Sequence, residues 1–395
     1  MRSSFFPAYG LWHCGEGFQT ILIMWYMAFH ARLSPAEIGF YQALQLIPFL
    51  LLTALGGSLT DRIGARTSFA ASTGLFALCL ALYGLSDPAF GFHGPLFALY
   101  CLLSGVLSAL ANPAIDTFIP EATPAPATRN ALIAATVHNV AKLAGNAATL
   151  LLPVLSALGG FLANGALMAA SAALLLRHPG AARPAPPPRG SVAPDPSAPR
   201  RLAAHFRAHP QSFDILLSSA VLGLFMIPAF YVFQPLMLRT WYPGSESLIG
   251  LTGVVGWIGA IAASAVAVRL SHRIHRPGAL ALWIWAGMAA LFAALPLMPG
   301  FGAYLAALVV LGMNGLGKAL VYGAYLREAP ARDRGLLIGI DQTAFWGLAT
   351  LGTMGLGLLV QAAGLVPALL ANALAMLGCL AILALRGRLA GVVPG

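Results

Sequence analysis

The chain is built from long apolar stretches that carry very few charges. A run of about 20 apolar residues is long enough to cross the roughly 30 Å hydrocarbon layer of a bilayer as a helix. Charged residues make up 9% of the 395-residue chain, whereas a soluble domain contains roughly 25%. The sequence therefore predicts an all-α integral membrane protein and argues against a soluble enzyme.

Apolar runs and the residues that interrupt them divide the chain into twelve predicted transmembrane helices. The predicted spans are Pro7–Phe29, Ile38–Thr60, Ser68–Ser86, Gly94–Thr117, Ala131–Leu152, Leu158–Leu176, Phe213–Leu238, Leu248–Leu270, Ala279–Leu297, Phe301–Ala324, Leu336–Leu359 and Val366–Leu385. The helices of the fifth and sixth spans, and those of the eleventh and twelfth, are separated only by short Pro- or Gly-containing breaks.

The basic residues fall mainly on one side of these spans. With a cytoplasmic N-terminus, eighteen of the 22 Lys and Arg residues lie in inner loops and tails, and only Arg32 and Arg239 lie in outer loops. This is the positive-inside pattern. It predicts a multi-pass protein of the cell inner (plasma) membrane with both termini in the cytoplasm. The net charge of +10 is thereby explained by topology, and no nucleic-acid partner is expected.

A Pro-rich stretch separates two halves of similar organisation. Eight prolines occur between Pro179 and Pro199 with almost no apolar run, which is typical of a solvated linker. The predicted domains are a bundle over 1–177, a cytoplasmic linker over 178–211 and a second bundle over 212–395. In each half, a short charged loop after the fourth helix leads into the next apolar helix, so the two six-helix halves are predicted to be pseudo-repeats.

The loop after the second span carries a recognisable motif. Residues 57–66 read Gly-Ser-Leu-Thr-Asp-Arg-Ile-Gly-Ala-Arg, which resembles the G-x-L-x-D-R-x-G-x-R loop of major facilitator transporters. The resemblance implies the twelve-helix major facilitator fold and a cytoplasmic gate in which Asp116 is the partner carboxylate. The residues assigned to gating are Gly57, Asp61, Arg62, Gly64, Arg66 and Asp116. The alternative is a basic membrane anchor with an incidental aspartate.

A narrower resemblance lies in residues 111–121 and 129–131, Ala-Asn-Pro-Ala-Ile-Asp-Thr-Phe-Ile-Pro-Glu and Arg-Asn-Ala. They are similar to the subfamily that contains the enterobactin exporter, macrolide efflux proteins and lysophospholipid transporters. This resemblance implies proton-coupled export of a siderophore-like or drug-like molecule. Import or flipping of a lysophospholipid-like lipid, or of another small solute, is the alternative, and a non-transporting receptor of this fold also stays open.

Four charged residues fall inside predicted spans: Glu16, Lys142, Lys318 and Asp341. A charge in the centre of a bilayer costs at least ~2.5–3.5 kcal/mol, so each should face protein or a water-filled cavity. Tyr9, His13, Glu16 and Thr20 share one face of the first helix. His138, Lys142 and Asn146 share a face of the fifth, as do Asn314, Lys318 and Tyr322 on the tenth.

These positions give the candidate site. The residues assigned to proton coupling are Glu16, Asp341, His13 and His138. Those assigned to substrate binding are Lys142, Lys318, Asn146, Asn314, Gln42, Gln45, Gln234, Gln342 and Trp346. Lys318 and Asp341 lie at similar depth, which also fits a structural ion pair, whereas Glu16 is the only carboxylate near the depth of Lys142. The two histidines also fit simple packing roles.

Motifs for enzymatic chemistry are not found in the sequence. It has no metal-binding His/Asp or His/Glu cluster, no Gly-x-Ser-x-Gly elbow and no P-loop. No enzymatic activity, metal or cofactor is expected. The expected partners are a small-molecule substrate, amphipathic and negatively charged or zwitterionic, together with protons and membrane lipids, and the protein is predicted to be a monomer.

Overall fold

A computed structural model describes residues 4–177, 198–270, 273–328, 330 and 333–392, without the side chains of residues 51, 53–62, 121, 128, 198, 199, 268, 270, 334 and 335. Most of the predicted linker lies outside these ranges. The described residues form helices joined by turns. The helices are α1 Phe5–Trp25, α2 Pro35–Ile63, α3 Ala65–Phe90, α4 Gly94–Asp116, α5 Ala127–Ala148, α6 Leu152–Leu176, α7 Ala198–Ala208, α8 Pro210–Val221, α9 Gln234–Trp241, α10 Ile249–Leu270, α11 Pro277–Ala294, α12 Phe301–Gly312, α13 Gly315–Glu328, α14 Arg334–Ala363 and α15 Leu365–Arg386.

Within the described ranges, nine helical stretches are long and apolar enough to cross a membrane. Helices α1 and α2 are not among the nine, and the fifth and sixth predicted spans fall together in the single stretch Arg129–Leu176. Helices α5 and α6 are distinct within it, because the turn Thr149–Leu151 lies between them. The chain is thus a multi-pass helical membrane protein, and the number twelve stays a prediction.

The chain divides into two compact units. Unit 1 contains Met1–Arg189 and Pro235–Val254, and unit 2 contains Gly190–Gln234 and Val255–Gly395. In unit 1, α1 packs against α5 and α6, and α2 packs against α4. In unit 2, α14 packs against α8, and α11 packs against α13 and α15. The predicted division at residues 177 and 212 remains an expectation.

Two glycines allow α1 and α5 to approach closely in unit 1. A Cβ atom on Gly145 would lie 2.0 Å from the backbone oxygen of Cys14, and one on Gly17 would lie 2.7 Å from that of Lys142. Any side chain at these positions would force the helices apart. The glycines therefore bring the polar faces of α1 and α5 into direct contact.

The tenth predicted span, Phe301–Ala324, falls within one membrane-length stretch, Phe301–Glu328. A turn divides this stretch into α12 and α13, where the amides of Met313 and Asn314 donate to carbonyls three residues earlier, at 3.0 and 3.2 Å. The Asn314 side-chain amide also donates to the Leu311 carbonyl at 3.1 Å. These bonds replace the regular i→i−4 pattern. Lys318 consequently lies in the first turns of a new helix.

Candidate functional site

The predicted intramembrane charges of unit 1 meet around Glu16. Lys142 Nζ lies 3.1 Å from Glu16 Oε2, and His13 Nδ1 lies 2.7 Å from the same oxygen. The side-chain amide of Asn112 donates to Glu16 Oε1 at 3.1 Å. Both carboxylate oxygens are therefore engaged, and the side chains of Glu16 and Lys142 are each only 16% exposed. Glu16 holds a compact, largely buried, charged cluster.

Three different helices supply this cluster. His13 and Glu16 are three residues apart on α1 and so share a face. Lys142 comes from α5, which the glycine contacts press against α1. Asn112 comes from α4, and its orientation is set by the fully buried Trp12, whose indole Nε1 donates to Asn112 Oδ1 at 2.8 Å. Trp12 acts as a support for the residue that binds Glu16.

His13 links the Glu16 carboxylate to the rings of Tyr9 and His138. Its ring lies 4.4 Å from that of Tyr9 and 4.2 Å from that of His138, both in edge-on contacts. The His13 side chain is 6% exposed, and its Nε2 atom has no hydrogen-bond partner among the described residues. His13 therefore has one nitrogen on Glu16 and one buried nitrogen without a described hydrogen bond.

In unit 2, Lys318 and Asp341 form the predicted ion pair. Lys318 Nζ lies 2.9 Å from Asp341 Oδ2, and the Ser219 hydroxyl donates to Asp341 Oδ1 at 2.5 Å. The Asp341 side chain is fully buried, whereas that of Lys318 is 23% exposed. The ammonium also lies 4.5 Å from the ring centre of Phe345, a cation–π contact. This pair has fewer described donors around its carboxylate than the Glu16 cluster.

Two other residues assigned to substrate binding form described hydrogen bonds that do not involve the charged atoms of either cluster. Asn146 donates to the carbonyl of Lys142 in its own helix at 2.7 Å, and Gln45 donates to Ser104 Oγ at 3.2 Å. Gln42 and Gln234 are buried, and Gln342 and Trp346 are partly exposed. Their roles in substrate binding remain predictions.

The gating assignment rests on a loop that the structure describes only in part. Gly57, Asp61 and Arg62 belong to α2, and their side-chain placement lies outside the described residues. Gly64 forms the break between α2 and α3 with a φ of +86°, a conformation that favours glycine. Arg66 Nε is buried without a hydrogen bond among the described residues, and Asp116 is exposed at the end of α4. The motif glycine thus has a clear conformational role.

Sequence reasoning missed two polar groups. The sequence places Asn112 only in the subfamily motif.

A second polar network lies just after the C-terminal end of α1. Tyr26 donates to Asp87 Oδ1 at 2.5 Å, and His30 Nε2 lies 2.9 Å from Asp87 Oδ2. Tyr83 donates to the Tyr26 hydroxyl at 2.7 Å. Asp87 falls one residue beyond the third predicted span, so the sequence alone assigns it to a loop. The signal that could have found it is an acid at a span end beside Tyr83.

No group of three or more His, Cys, Asp or Glu side chains suited to a metal occurs in the described part of the chain. The donors around Glu16 are an ammonium, an imidazole and an amide. The arrangement thus places a cation of the kind that binds anions next to a largely buried carboxylate. The described side chains that contact Glu16 include no nucleophile next to a base.

Comparison with known proteins identifies the family. The family model described as Major Facilitator Superfamily matches residues 5–326. A search of curated proteins finds no significant match. Among solved structures, the nucleoside transporter NupG aligns with a TM-score of 0.74 at 13% identity, covering 97% of this chain and 98% of that one. A D-xylose–proton symporter aligns with a TM-score of 0.72 at 18% identity, covering 99% and 98%.

An inward-open structure of the xylose transporter XylE from E. coli also aligns, with a TM-score of 0.71 at 16% identity, covering 97% of this chain and 96% of that chain. At these identities the structural matches show a shared fold and no shared substrate. The family model, however, spans most of the chain. The chain therefore belongs to the Major Facilitator Superfamily and is a membrane transporter, not an enzyme.

Proposed function

We propose that this protein is a proton-coupled secondary transporter of an amphipathic organic molecule that carries a carboxylate or another anionic group, either as an anion or as a zwitterion. The observation that carries the proposal is the ion pair between Lys142 and Glu16, which His13 and Asn112 complete. Transport would proceed by alternating access around this site. The proposal places the protein in the cell inner membrane as a monomer with both termini in the cytoplasm.

The ion pair links substrate binding to proton binding. An anion that binds Lys142 competes with the Glu16 carboxylate for the same ammonium. A largely buried carboxylate that loses its cation is costly unless it takes up a proton. The anion and the proton should therefore bind together, and the site should return empty with the Lys142–Glu16 pair closed.

This linkage bears on the direction of transport. Joint binding produces movement of proton and substrate in the same direction, which favours uptake when the proton gradient points inward. The subfamily resemblance instead favours export of a siderophore-like or drug-like compound, and export needs substrate and proton to compete. Import or flipping of a lysophospholipid-like molecule, whose phosphate would meet Lys142, is compatible with joint binding.

Replacement of Glu16 by Gln tests the proposal. We expect Glu16→Gln to abolish accumulation driven by a pH gradient and to retain counterflow, because the amide mimics only the protonated acid. The substrate is first identified by mass spectrometry of molecules that co-purify with the protein, and transport is then measured in proteoliposomes. Glu37→Gln, an exposed acid at the start of α2, is the matched control.

The pH dependence of substrate affinity separates the two directions. Joint binding predicts that affinity in the wild type weakens as the pH rises, by up to about tenfold per pH unit for one proton, and that Glu16→Gln removes this dependence. Affinity that strengthens with rising pH would favour exchange and export. Wild-type accumulation and pH dependence in Glu16→Gln would exclude Glu16 from coupling.

The proposal includes a gate at residues 57–66. We expect Asp61→Asn to reduce the transport rate at least about tenfold while membrane expression stays near normal, because a charge-assisted contact at the cytoplasmic loop is lost. Initial transport rates normalised to purified protein measure the effect. Arg273→Gln, in the second-half loop that lacks an aspartate, is the comparison variant. A wild-type rate in Asp61→Asn would contradict the gating role.

A further inference from the structure

A cavity in unit 1, separate from the Glu16 cluster, contains the two arginines that depart from the positive-inside pattern. It has a volume of about 990 Å³ and lies where α1 ends and α2 begins, which is the predicted outer end of the unit. Arg32 and Arg239, more than 200 positions apart in the sequence, both line it beside Trp25 and Phe29. The sequence places both arginines in outer loops, but only the fold brings them together.

Arg239 is held in place by two uncharged acceptors. Its Nη1 atom donates to the carbonyl of Ala28 at 3.1 Å and to the carbonyl of Leu33 at 2.7 Å. Ala28 lies in the π-helical turn Tyr26–His30 that follows α1, and Leu33 lies between that turn and α2. Neither carbonyl carries a formal charge. They orient the guanidinium while its other nitrogens remain without a described partner. A guanidinium fixed in this way is suited to recognise an oxyanion.

Arg32 lies on the same cavity in an unusual backbone conformation. Its φ is +50°, in the left-handed region that costs a residue other than glycine of order 1 kcal/mol or more. Such strain persists where the surrounding structure imposes it, and it clusters at ligand sites. The Arg32 side chain is exposed. The chain thus keeps a strained arginine at the cavity, where a glycine would relieve the strain.

The carboxylates that line the cavity are engaged elsewhere. Glu37 Oε2 accepts from the Ser34 amide at 2.8 Å and from the Ser34 hydroxyl at 2.7 Å, as part of the cap of α2. Glu246 Oε1 accepts a hydrogen bond from the Gly244 backbone amide at 3.4 Å. Among the residues that the structure describes, neither carboxylate forms an ion pair with Arg32 or Arg239. Both guanidinium charges therefore lack a counter-ion within the described part of the chain.

We propose that this cavity is a second binding site, for an organic anion whose carboxylate or phosphate meets Arg32 and Arg239 and whose apolar part packs on Trp25 and Phe29. Its volume is within the range of small-molecule sites, roughly 300–1,000 Å³. The site goes beyond the proposed function, because it shares no residue with the Glu16 cluster. A free aromatic anion and the phosphate group of a membrane lipid present the same chemistry to it.

Calorimetric titration of the purified full chain with phenyl phosphate tests the site. The measurement uses the Lys142→Gln variant, which lacks the ammonium proposed to bind the substrate anion. We expect this variant still to bind phenyl phosphate. Adding Arg32→Gln to it should weaken that binding about tenfold or more. Arg32→Lys, which keeps the charge, should lose less. Glu246→Gln removes an acid from the same cavity and should bind phenyl phosphate at least as tightly. Benzyl alcohol, which has no charge, should not bind.

Native mass spectrometry distinguishes the two sources of the anion. If phosphatidylglycerol is retained over phosphatidylcholine and its retention falls in Arg32→Gln, a lipid phosphate occupies the site, even where phenyl phosphate is too weak to measure. The proposal is overturned if neither probe responds to Arg32→Gln in protein that unfolds at the wild-type temperature. It is also overturned if Lys142→Gln alone removes all phenyl phosphate binding and lipid retention is unchanged in Arg32→Gln. Neither result would contradict the proposed substrate site at Lys142 and Glu16.

Discussion

Replacing Lys318 by alanine is expected to destabilise the folded protein strongly, by about 3–5 kcal/mol, because it leaves the fully buried Asp341 without its cation. Among the described contacts, the Ser219 hydroxyl alone would remain on that carboxylate. A buried charge that loses its partner costs far more than the pair contributes. Thermal unfolding of the purified protein in detergent, followed by tryptophan fluorescence, measures the loss. Arg388→Ala, an exposed cation near the chain end, should change little.

The paired variant separates an ion-pair effect from a packing effect. Lys318→Ala combined with Asp341→Ala removes both charges, so it should recover part of the stability that Lys318→Ala loses. Asp341→Asn in the Lys318→Ala background should recover a similar part and keep the contact with Ser219. A double variant no more stable than Lys318→Ala would show that the lysine acts through packing on Phe345. Wild-type stability in Lys318→Ala would contradict a structural pair.

Replacing Lys142 by alanine is expected to weaken substrate affinity about tenfold to a hundredfold, since a charge-assisted hydrogen bond contributes ~1.5–3 kcal/mol. The loss of stability should be smaller than for Lys318→Ala. Unlike the fully buried Asp341, Glu16 is 16% exposed, and it keeps its contacts with His13 and Asn112 after the lysine is gone. Binding of the co-purifying substrate to purified protein, beside thermal unfolding of the same sample, measures both quantities.

Lys142→Arg is the matched control for this prediction. It keeps the positive charge but changes the geometry, so it should bind more tightly than Lys142→Ala and less tightly than the wild type. Wild-type affinity in Lys142→Ala would remove the lysine from the binding site. A stability loss as large as that of Lys318→Ala would instead assign both lysines to structural pairs.

Much of the candidate site followed from local spacing. The face shared by His13 and Glu16, and the one shared by His138 and Lys142, were predictable because residues three or four apart on a helix point the same way. The ion pair of Lys318 with Asp341 was predictable from similar depth on neighbouring predicted spans. The family followed from the motif at residues 57–66, and the match to residues 5–326 confirms the superfamily. The narrower subfamily remains a proposal.

Other features depended on contacts that no local pattern encodes. Asn112 reaches Glu16 across 96 positions of sequence, and it does so because Trp12 orients its amide. The break between α12 and α13 depends on side-chain and backbone bonds around Asn314 that compete with a regular helix. An Asn or a Gly within an apolar run is compatible with a continuous helix and with a broken one.

By itself, the sequence determined that the chain enters a membrane, where its long apolar helices lie and which faces of those helices are polar. These properties follow from apolar run length and from a repeat of 3.6 residues per turn, both of which are local. Only the tertiary structure decided which polar faces meet: Lys142 with Glu16 through the close contact at Gly145, and Arg32 with Arg239 at one cavity. The physical reason is that helix packing depends on the shape of whole surfaces, and a single glycine without a Cβ determines which surfaces can touch.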